Sequence, residues 1–505
     1  MAVKRYYAKI DNTITNAFEE NLTTRGTGSN MGASDILEVF SIFAQANSSS
    51  AEESRALLKF NTTASTDSIT ADRTAGVIPA SGSVSFYLRM FNAKHGQTLP
   101  KNFTMDVSAI SGSWEEGTGL DMEAYKDKDE SNWINRVASS SAGTHAWSTQ
   151  GGDYYTDTSS SFSASFDSGV EDIEVDITTL VEQWANSAGN VLGSKNDEGV
   201  GVFLSSVYSG ESRSYYTKKF FARGTEFFFK KPCIEARWDS AIKDDRGTFF
   251  FSSSLATAAE NLNTLYFYNY FRGQLRNIPA IGTGNIYLSV YSGSADDSTP
   301  FGSRLTLVAD GTHVASSSPT VVTGGYVSTG IYSASFAATG TLTTLYDVWH
   351  DNGSIEFQTG TIKPEILYAS TTAPDTTFAS NITNLKNVYR GDETARFRVY
   401  TRQKDWSPTI YTKATAQAEV NIVESGSYEI YRVVDDLKVI PYGTGSTLHT
   451  QMSFDADGSY FDLDMEMLEK GYMYGIKFAY YNNSVGSWVE QPETFKFRVE
   501  SRQSE

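Results

Sequence analysis

The sequence predicts a large all-β protein of about three domains, and three observations carry that expectation. Its 505 residues exceed what one hydrophobic core serves, since domains run to about 150 residues. The composition joins 30 Phe, 29 Tyr and 8 Trp to 40 Gly while charged residues stay at 20%, a balance that suits strands and turns better than disorder or coiled coil. Short windows alternate apolar and polar residues between turn residues, the period of a half-buried strand.

Charge and cysteine content set the boundaries. With 41 Lys+Arg against 60 Asp+Glu the formal charge is -19, which disfavours phosphate binding, so no nucleic-acid partner is expected. The single cysteine, Cys233, excludes an intrachain disulfide and a Cys-based zinc cage. Packing and hydrogen bonds must hold the fold. The start, Met1-Ala-Val-Lys-Arg-Tyr-Tyr, runs into polar Asp11-Asn12-Thr13 without the apolar core of a secretory signal. No stretch approaches the roughly 18 apolar residues of a membrane span, and synthesis in a cytoplasm is expected.

Strand patterns are clearest in Ser83-Val-Ser-Phe-Tyr-Leu-Arg-Met, Gly169-Val-Glu-Asp-Ile-Glu-Val-Asp-Ile and Thr394-Ala-Arg-Phe-Arg-Val-Tyr-Thr-Arg. The last puts Ala395, Phe397 and Val399 on one face and Arg396, Arg398 and Tyr400 on the other. Ile177-Thr-Thr-Leu-Val-Glu-Gln-Trp reads as a helix with Leu180, Val181 and Trp184 on one side, capped by Asp176 or Thr178 and ending at Gly189. Polar Lys243-Asp-Asp-Arg-Gly and Thr371-Thr-Ala-Pro-Asp-Thr-Thr mark seams, which divides the chain into 1–240, 241–370 and 371–505. These lengths fit one large sandwich followed by two of immunoglobulin size. Asp457-Gly458 signals a hairpin turn in the last piece.

Within the first 240 residues, Asn30-Met-Gly-Ala-Ser-Asp precedes Ser54-Arg-Ala-Leu-Leu-Lys-Phe, Ile78-Pro-Ala-Ser-Gly, Trp114-Glu-Glu-Gly-Thr-Gly, Val175-Asp-Ile-Thr-Thr-Leu-Val-Glu-Gln-Trp and Lys231-Pro-Cys-Ile-Glu-Ala. This succession resembles the DNRLRE, or disaggregatase-related, family of β-sandwich modules, although Arg55-Ala-Leu-Leu-Lys-Phe holds one residue more between Leu57 and Phe60 than the family phrase. The resemblance implies a jelly-roll-like β-sandwich, followed here by two smaller immunoglobulin-like β-sandwiches. The longer context resembles virion structural proteins of tailed phages that infect marine bacteria. It implies assembly in a host cytoplasm, location in the virion and oligomeric contact with other virion proteins.

Chemistry is harder to place. Glu115, Glu116 and Asp121 beside Trp114 could serve glycoside hydrolysis, but the plainer reading has Trp114 plugging the sandwich and the acids in a solvated loop. No catalytic residue and no cofactor is assigned. Structural calcium would look to Asp121, Asp127, Asp129 or Asp455-Ala-Asp457-Gly, the last of which lacks EF-hand spacing. His95, His145, His313, His350 and His449 lie too far apart for a zinc motif, and no Gly-x-Ser-x-Gly elbow marks a nucleophile. Cys233 reads as a core thiol. Trp114, Trp133 and Trp147 are the candidate platforms for stacking on a host glycan.

Adjacent aromatics in Phe220-Phe221, Phe227-Phe-Phe229, Phe249-Phe-Phe251 and Leu265-Tyr-Phe-Tyr-Asn-Tyr-Phe271 occupy both faces of strands. One face fills the core and the other needs cover from a neighbouring domain or another subunit, with Phe249, Phe251, Tyr266, Tyr268 and Tyr270 as interface candidates beside Arg223, Arg246, Arg272 and Arg276. The expected function is therefore non-enzymatic and architectural, in a phage neck, tail, baseplate or capsid. A carbohydrate-binding module or host-surface adhesin is the alternative, and a polysaccharide depolymerase the least favoured.

Overall fold

Strand alternation and turn chemistry produce an all-β molecule, seen here in a computed structural model that describes residues 2–501 apart from 97–99, 129, 141–142, 186–190, 312–318, 370–376, 408 and 411–419. The chain divides into two units, Ala2–Asp239 and the remainder from Ser240 onward, with Thr447–His449 grouped with the first. The expected seam at 370, the Gly189 helix end, Asp129 and His313 fall outside the described residues.

Eight strands build the jelly roll of the first unit: Val3–Tyr7, Ala51–Lys59, Ser85–Met90, Phe103–Ala109, Ser161–Phe166, Ile173–Asp176, Val200–Leu204 and Cys233–Arg237. One sheet places the first, eighth, third and sixth side by side, and the other places the second, seventh, fourth and fifth. The antiparallel pairs first–eighth, second–seventh, third–sixth and fourth–fifth are those of a long hairpin wound into two facing sheets, a jelly roll. Ile10–Thr15, Ile36–Phe43 and Tyr215–Phe221 enlarge the second sheet. Phe86, Leu88, Met90, Ile234 and Ala236 from one sheet meet Leu58, Met105, Val107, Phe166, Val200 and Val202 from the other. The predicted helix spans Thr178–Ala185 and buries Leu180, Val181 and Trp184 at the end of this core. Asp176 sets its start, accepting hydrogen bonds from Thr178 N (2.9 Å) and Oγ1 (2.6 Å).

The second unit carries two immunoglobulin-like sandwiches. In the middle one, Asn263–Tyr268, Ile331–Ala338 and Val322–Ser328 lie side by side, followed by Ile286–Gly293, Leu345–His350 and Glu356–Ile362. This is the B-E-D and C-F-G order of an immunoglobulin domain, joined at one edge by the pairing of Ile286–Leu288 with Val322–Gly324. Phe249, Phe251, Phe267, Tyr332, Phe336 and Trp349 fill its core.

The C-terminal sandwich follows the same plan more fully. Phe378–Ile382, Thr394–Gln403, Gly458–Asp464 and Ser453–Asp455 form an A-B-E-D sheet. Val388–Arg390 then crosses to pair in parallel with Phe495–Glu500, opening a sheet that continues through Met473–Asn482, Gly426–Arg432 and Leu437–Ile440. Tyr474, near the start of its strand, donates its hydroxyl to Glu469 O at 2.7 Å, the tyrosine corner of immunoglobulin folds. Tyr428 stacks on Phe461 across the sandwich with ring centroids 4.1 Å apart. The hairpin signalled by Asp457-Gly458 forms one residue earlier than that dipeptide indicates: Asp455 pairs with Gly458, whose positive φ of 113 opens the return strand.

The segment entering the middle sandwich is fastened on both sides. Ile242 N donates to Ser453 Oγ (2.9 Å), Phe454 N to Ile242 O (2.9 Å) and Asp244 N to Phe454 O (3.1 Å), so the segment lies along the C-terminal sandwich. Two residues on, Arg246 enters the middle sandwich and grips Asp347 through Nη1 (2.6 Å) and Nη2 (2.8 Å). Asp347 is wholly buried and also accepts Trp349 Nε1 at 2.8 Å. Gly360, opposite Asp347 in the ladder, leaves room for this pair, because a Cβ there would stand 2.3 Å from Arg246 Nη1 and 2.5 Å from Asp347 Oδ1. Arg246→Met should destabilise the second unit by about 3–5 kcal/mol, since it strands a buried carboxylate, whereas Arg246→Met with Asp347→Leu should recover most of that loss in chemical denaturation.

Candidate functional site

Asn30-Met-Gly and Trp114-Glu-Glu-Gly-Thr-Gly, nearly ninety residues apart, meet on the outer side of the larger jelly-roll sheet. Asn30 is wholly buried, its Oδ1 accepting Gly119 N (3.0 Å) and its Nδ2 donating to Asp127 O (3.3 Å). The approach admits no side chains: a Cβ on Gly117 would lie 1.9 Å from Asn30 Oδ1, one on Gly119 2.1 Å from Asn30 O, and one on Gly32 2.2 Å from Gly117 O. Asn12 extends the clasp by accepting Met31 N (3.0 Å) and donating to Ser131 Oγ (2.8 Å).

Below the clasp lies a second core of Ile14, Leu57, Ile110, Trp114, Trp133 and Trp147. The three indoles are 4%, 5% and 4% exposed, which corrects their assignment as glycan platforms: stacking on a sugar needs an open ring face, and these are covered. Trp114 Nε1 donates to Glu198 O and Trp147 Nε1 to Asn132 O, each at 2.8 Å. The strand Ala51–Lys59 serves both cores, with Ala56 and Leu58 in the main one and Leu57 in the tryptophan cluster. On the latter side the Arg55 guanidinium lies over Trp133 (5.1 Å), Tyr154 (5.6 Å) and Phe203 (5.0 Å) and donates to Gly151 O at 3.0 Å.

The acids of this region are engaged by their own chain. Glu116 accepts Asp11 N and Arg223 Nε, both at 2.7 Å, and Asp11 Oδ2 accepts Arg223 N at 2.6 Å. Burial raises the Asp11 carboxyl to about 7, with the Arg223 N–H opposing and the Glu116 charge adding to the rise. Asp121 Oδ1 accepts the N–H groups of Glu123, Ala124 and Tyr125, and Asp127 Oδ2 accepts Thr118 N. Asp455 pairs with Arg398 at 2.7 Å and accepts Asp457 N. Among the described residues no group of three or more His, Cys, Asp or Glu is placed to hold a metal ion.

A serine–histidine pair lies in the middle sandwich. His350 Nε2 lies 2.9 Å from Ser289 Oγ, but Nδ1 accepts Asn352 N at 2.9 Å, which fixes the proton on Nε2 and makes the serine oxygen the acceptor. Both residues are buried, and the pair is a structural hydrogen bond.

Two groups escaped sequence reading. Cys233, Glu235 and Arg237 face away from the main core yet are buried, so the thiol, raised to about 12 by burial, sits in a polar layer and not among core apolar groups. Glu235 accepts Arg5 Nε (2.7 Å), Arg237 Nε (2.7 Å) and Arg89 Nη1 (3.1 Å); burial alone would raise its pKa, and the guanidiniums overcome that and hold it well below the carboxylate range. Lys218, alternating with Phe220 on the core face of its strand, is 1% exposed. The alternation of Lys218 with Phe220 in Lys218-Lys219-Phe220-Phe221 is the signal that could have placed it on the core face, and nothing local identifies its partners.

The interface candidates separate. Phe249 and Phe251 are 0% and 5% exposed in the middle core, which corrects their place in an interface: this segment turns both rings inward. Tyr266 and Tyr268 stack with centroids 6.4 Å apart where the middle and C-terminal sandwiches meet, near Tyr460, over whose ring lie Arg396 (4.4 Å) and Arg398 (4.8 Å). Tyr270 and Phe271 are 57% and 52% exposed on a hairpin, with Arg272 and Arg276 over the Phe271 ring at 5.2 and 5.6 Å. Burial raises Asp244 to about 7 against the Arg246 charge, and raises Asp245 to about 6 against a hydrogen bond from Thr264 N, with the Glu424 charge adding to the rise.

No family model and no curated protein matches the chain. Among solved structures, Escherichia coli α2-macroglobulin aligns over 88% of this chain and 21% of its own at 9% identity and a TM-score of 0.14. The Yersinia pseudotuberculosis adhesin InvE aligns over 47% of this chain and 54% of its own, with 12% identity and a TM-score of 0.15. The Ig1-2 module of the Drosophila receptor protein tyrosine phosphatase DLAR aligns over 48% of this chain and 91% of its own, with 8% identity and a TM-score of 0.14. The chain thus spans about a fifth of the first of these proteins and about half of the second. No helix among the described residues is long and apolar enough to cross a membrane.

Gly117→Ala should displace Asn30 and open the 114–131 loop to protease while leaving the main core folded, read as faster limited proteolysis at unchanged far-UV circular dichroism. Asp244 and Asp245 bind protons more tightly folded than unfolded, so their contribution to stability is full in acid and lost as pH rises through about 6 to 7. The melting temperature of the second unit should fall between about pH 4 and pH 7, and Asp244→Asn should flatten that slope.

Proposed function

We propose that this chain is a non-enzymatic structural protein of a tailed-phage virion, assembled in the host cytoplasm and acting through protein–protein contacts with other virion proteins, itself included. The observation that carries this reading is the employment of the motif residues. Asn30, Gly32, Gly117, Gly119, Arg55 and Asp176 dock a loop, a cation and a helix onto a jelly roll, and Glu116 closes an ion pair with Arg223. The phrases that carry the resemblance to DNRLRE modules therefore work as scaffold. Two immunoglobulin-like sandwiches fastened through Asp244–Arg246 add a rigid presenting element, and the hairpin with exposed Tyr270 and Phe271 supplies the aromatic–arginine surface that protein interfaces favour.

The covered tryptophans remove the main support for a glycan-binding module, and the engaged carboxylates remove that for a depolymerase. The protein should appear in the mass spectrum of purified virions at several copies per particle, and its absence from intact particles would sink the proposal. Glycan-array binding that is lost in Phe271→Ala would favour the adhesin reading instead.

A further inference from the structure

Lys218 is the one lysine among the described residues that is fully buried. Its strand, Tyr215–Phe221, lies at the edge of the larger jelly-roll sheet, and the side chain runs past the rings of Phe166 (5.0 Å) and Phe220 (5.1 Å) toward the opposite sheet. There Nζ donates to three oxygens: Asn92 Oδ1 at 2.6 Å, Glu171 O at 2.7 Å and Gly169 O at 3.0 Å. Asn92 directly follows the strand Ser85–Met90 and its flanking Phe91, in the other sheet.

Two of these acceptors are main-chain carbonyls and the third is a carboxamide. A neutral amine has two hydrogens, enough for the two carbonyls, and the Asn92 carboxamide, its oxygen 2.6 Å away, occupies the remaining tetrahedral direction. The amine form is within reach, because burial lowers the Lys218 pKa to about 8 against the opposing charges of Asp172 and Glu171. Asp172 Oδ1 accepts the Asn92 main-chain N–H at 2.7 Å, which puts a carboxylate beside the same residue. Lys218 is 1% exposed, which shields the amine from water, whereas Asn92 is half-buried and Asp172 exposed.

We infer that Lys218 and Asn92 form an isopeptide cross-link between the two sheets of the jelly roll. Lys218 Nζ attacks Asn92 Cγ, and a new C–N bond forms as the Cγ–Nδ2 bond breaks. The proton lost by Nζ is carried by the Asp172 carboxylate to Nδ2, which leaves as ammonia, so no oxidant, reductant or other reactant is required. The product joins positions 126 residues apart in a chain with a single cysteine.

Intact-mass measurement of the denatured full chain tests this directly. Purified protein should weigh one ammonia less than its sequence, and digestion should yield a branched peptide joining the Asn92 and Lys218 segments. Lys218→Met and Asn92→Ala should each restore the full sequence mass. Should either variant fail to fold, the wild-type mass and branched peptide decide alone. A full sequence mass that persists after prolonged incubation of the folded protein near about pH 9, with Lys218 recovered in a linear peptide, overturns the inference.

Discussion

A charge taken out of water must be paired, and the buried charges of this protein organise the rest of its architecture. Asp347 lies in the core of the middle sandwich and is matched by Arg246, a residue of the entering segment. Because that match holds only if the segment takes one path, Ile242 to Asp244 are delivered to the edge of the C-terminal sandwich. Glu235 imposes the same discipline on the jelly roll, where guanidiniums from three strands converge on one carboxylate. The buried Lys218 nitrogen acts likewise through neutral oxygens, drawing the 169–171 corner and Asn92 onto the strand that carries it. Sandwiches lacking disulfides gain unique registers in this way, since a slip of one residue would expose each charge to an apolar neighbour.

The family-like phrases acquire a physical meaning from the same viewpoint. A jelly-roll sheet has an outer face that strand alternation leaves partly apolar, and here a long loop covers part of it. Arg55 and Leu57 project outward to receive the tryptophans, while Ala56 and Leu58 fill the main core. Glycines at 32, 117 and 119 let two backbones approach around the Asn30 amide. Residue types that suit carbohydrate chemistry, a tryptophan beside two glutamates, are thus also those that dock a loop: a large ring to bury and an anion to pair with Arg223.

Much of the fold was legible. Alternation in Thr394–Gln403 places Ala395, Phe397 and Val399 inside and Arg396 and Arg398 outside, because a strand has only two faces. The helix at Thr178 was legible from Asp176 and the spacing of Leu180, Val181 and Trp184. The site was less so. Trp114, Trp133 and Trp147 were indistinguishable from exposed platforms, since nothing local records which loop will close over them. Phe249 and Phe251 misled for a related reason: their segment packs both rings into one core instead of offering alternate faces.

By itself the sequence determined class and texture: all-β structure, the inward face of a regular strand such as Thr394–Gln403, and the helix that starts at Thr178. These depend on neighbours within about ten residues, where periodicity and turn chemistry act. Tertiary structure alone decided which charges are buried together, which tryptophans are covered, and that Lys218 meets Asn92. Those outcomes depend on residues far apart in the chain, 89 positions for Asn30 and Gly119 and 126 for Asn92 and Lys218, brought together by winding a strand hairpin into two sheets.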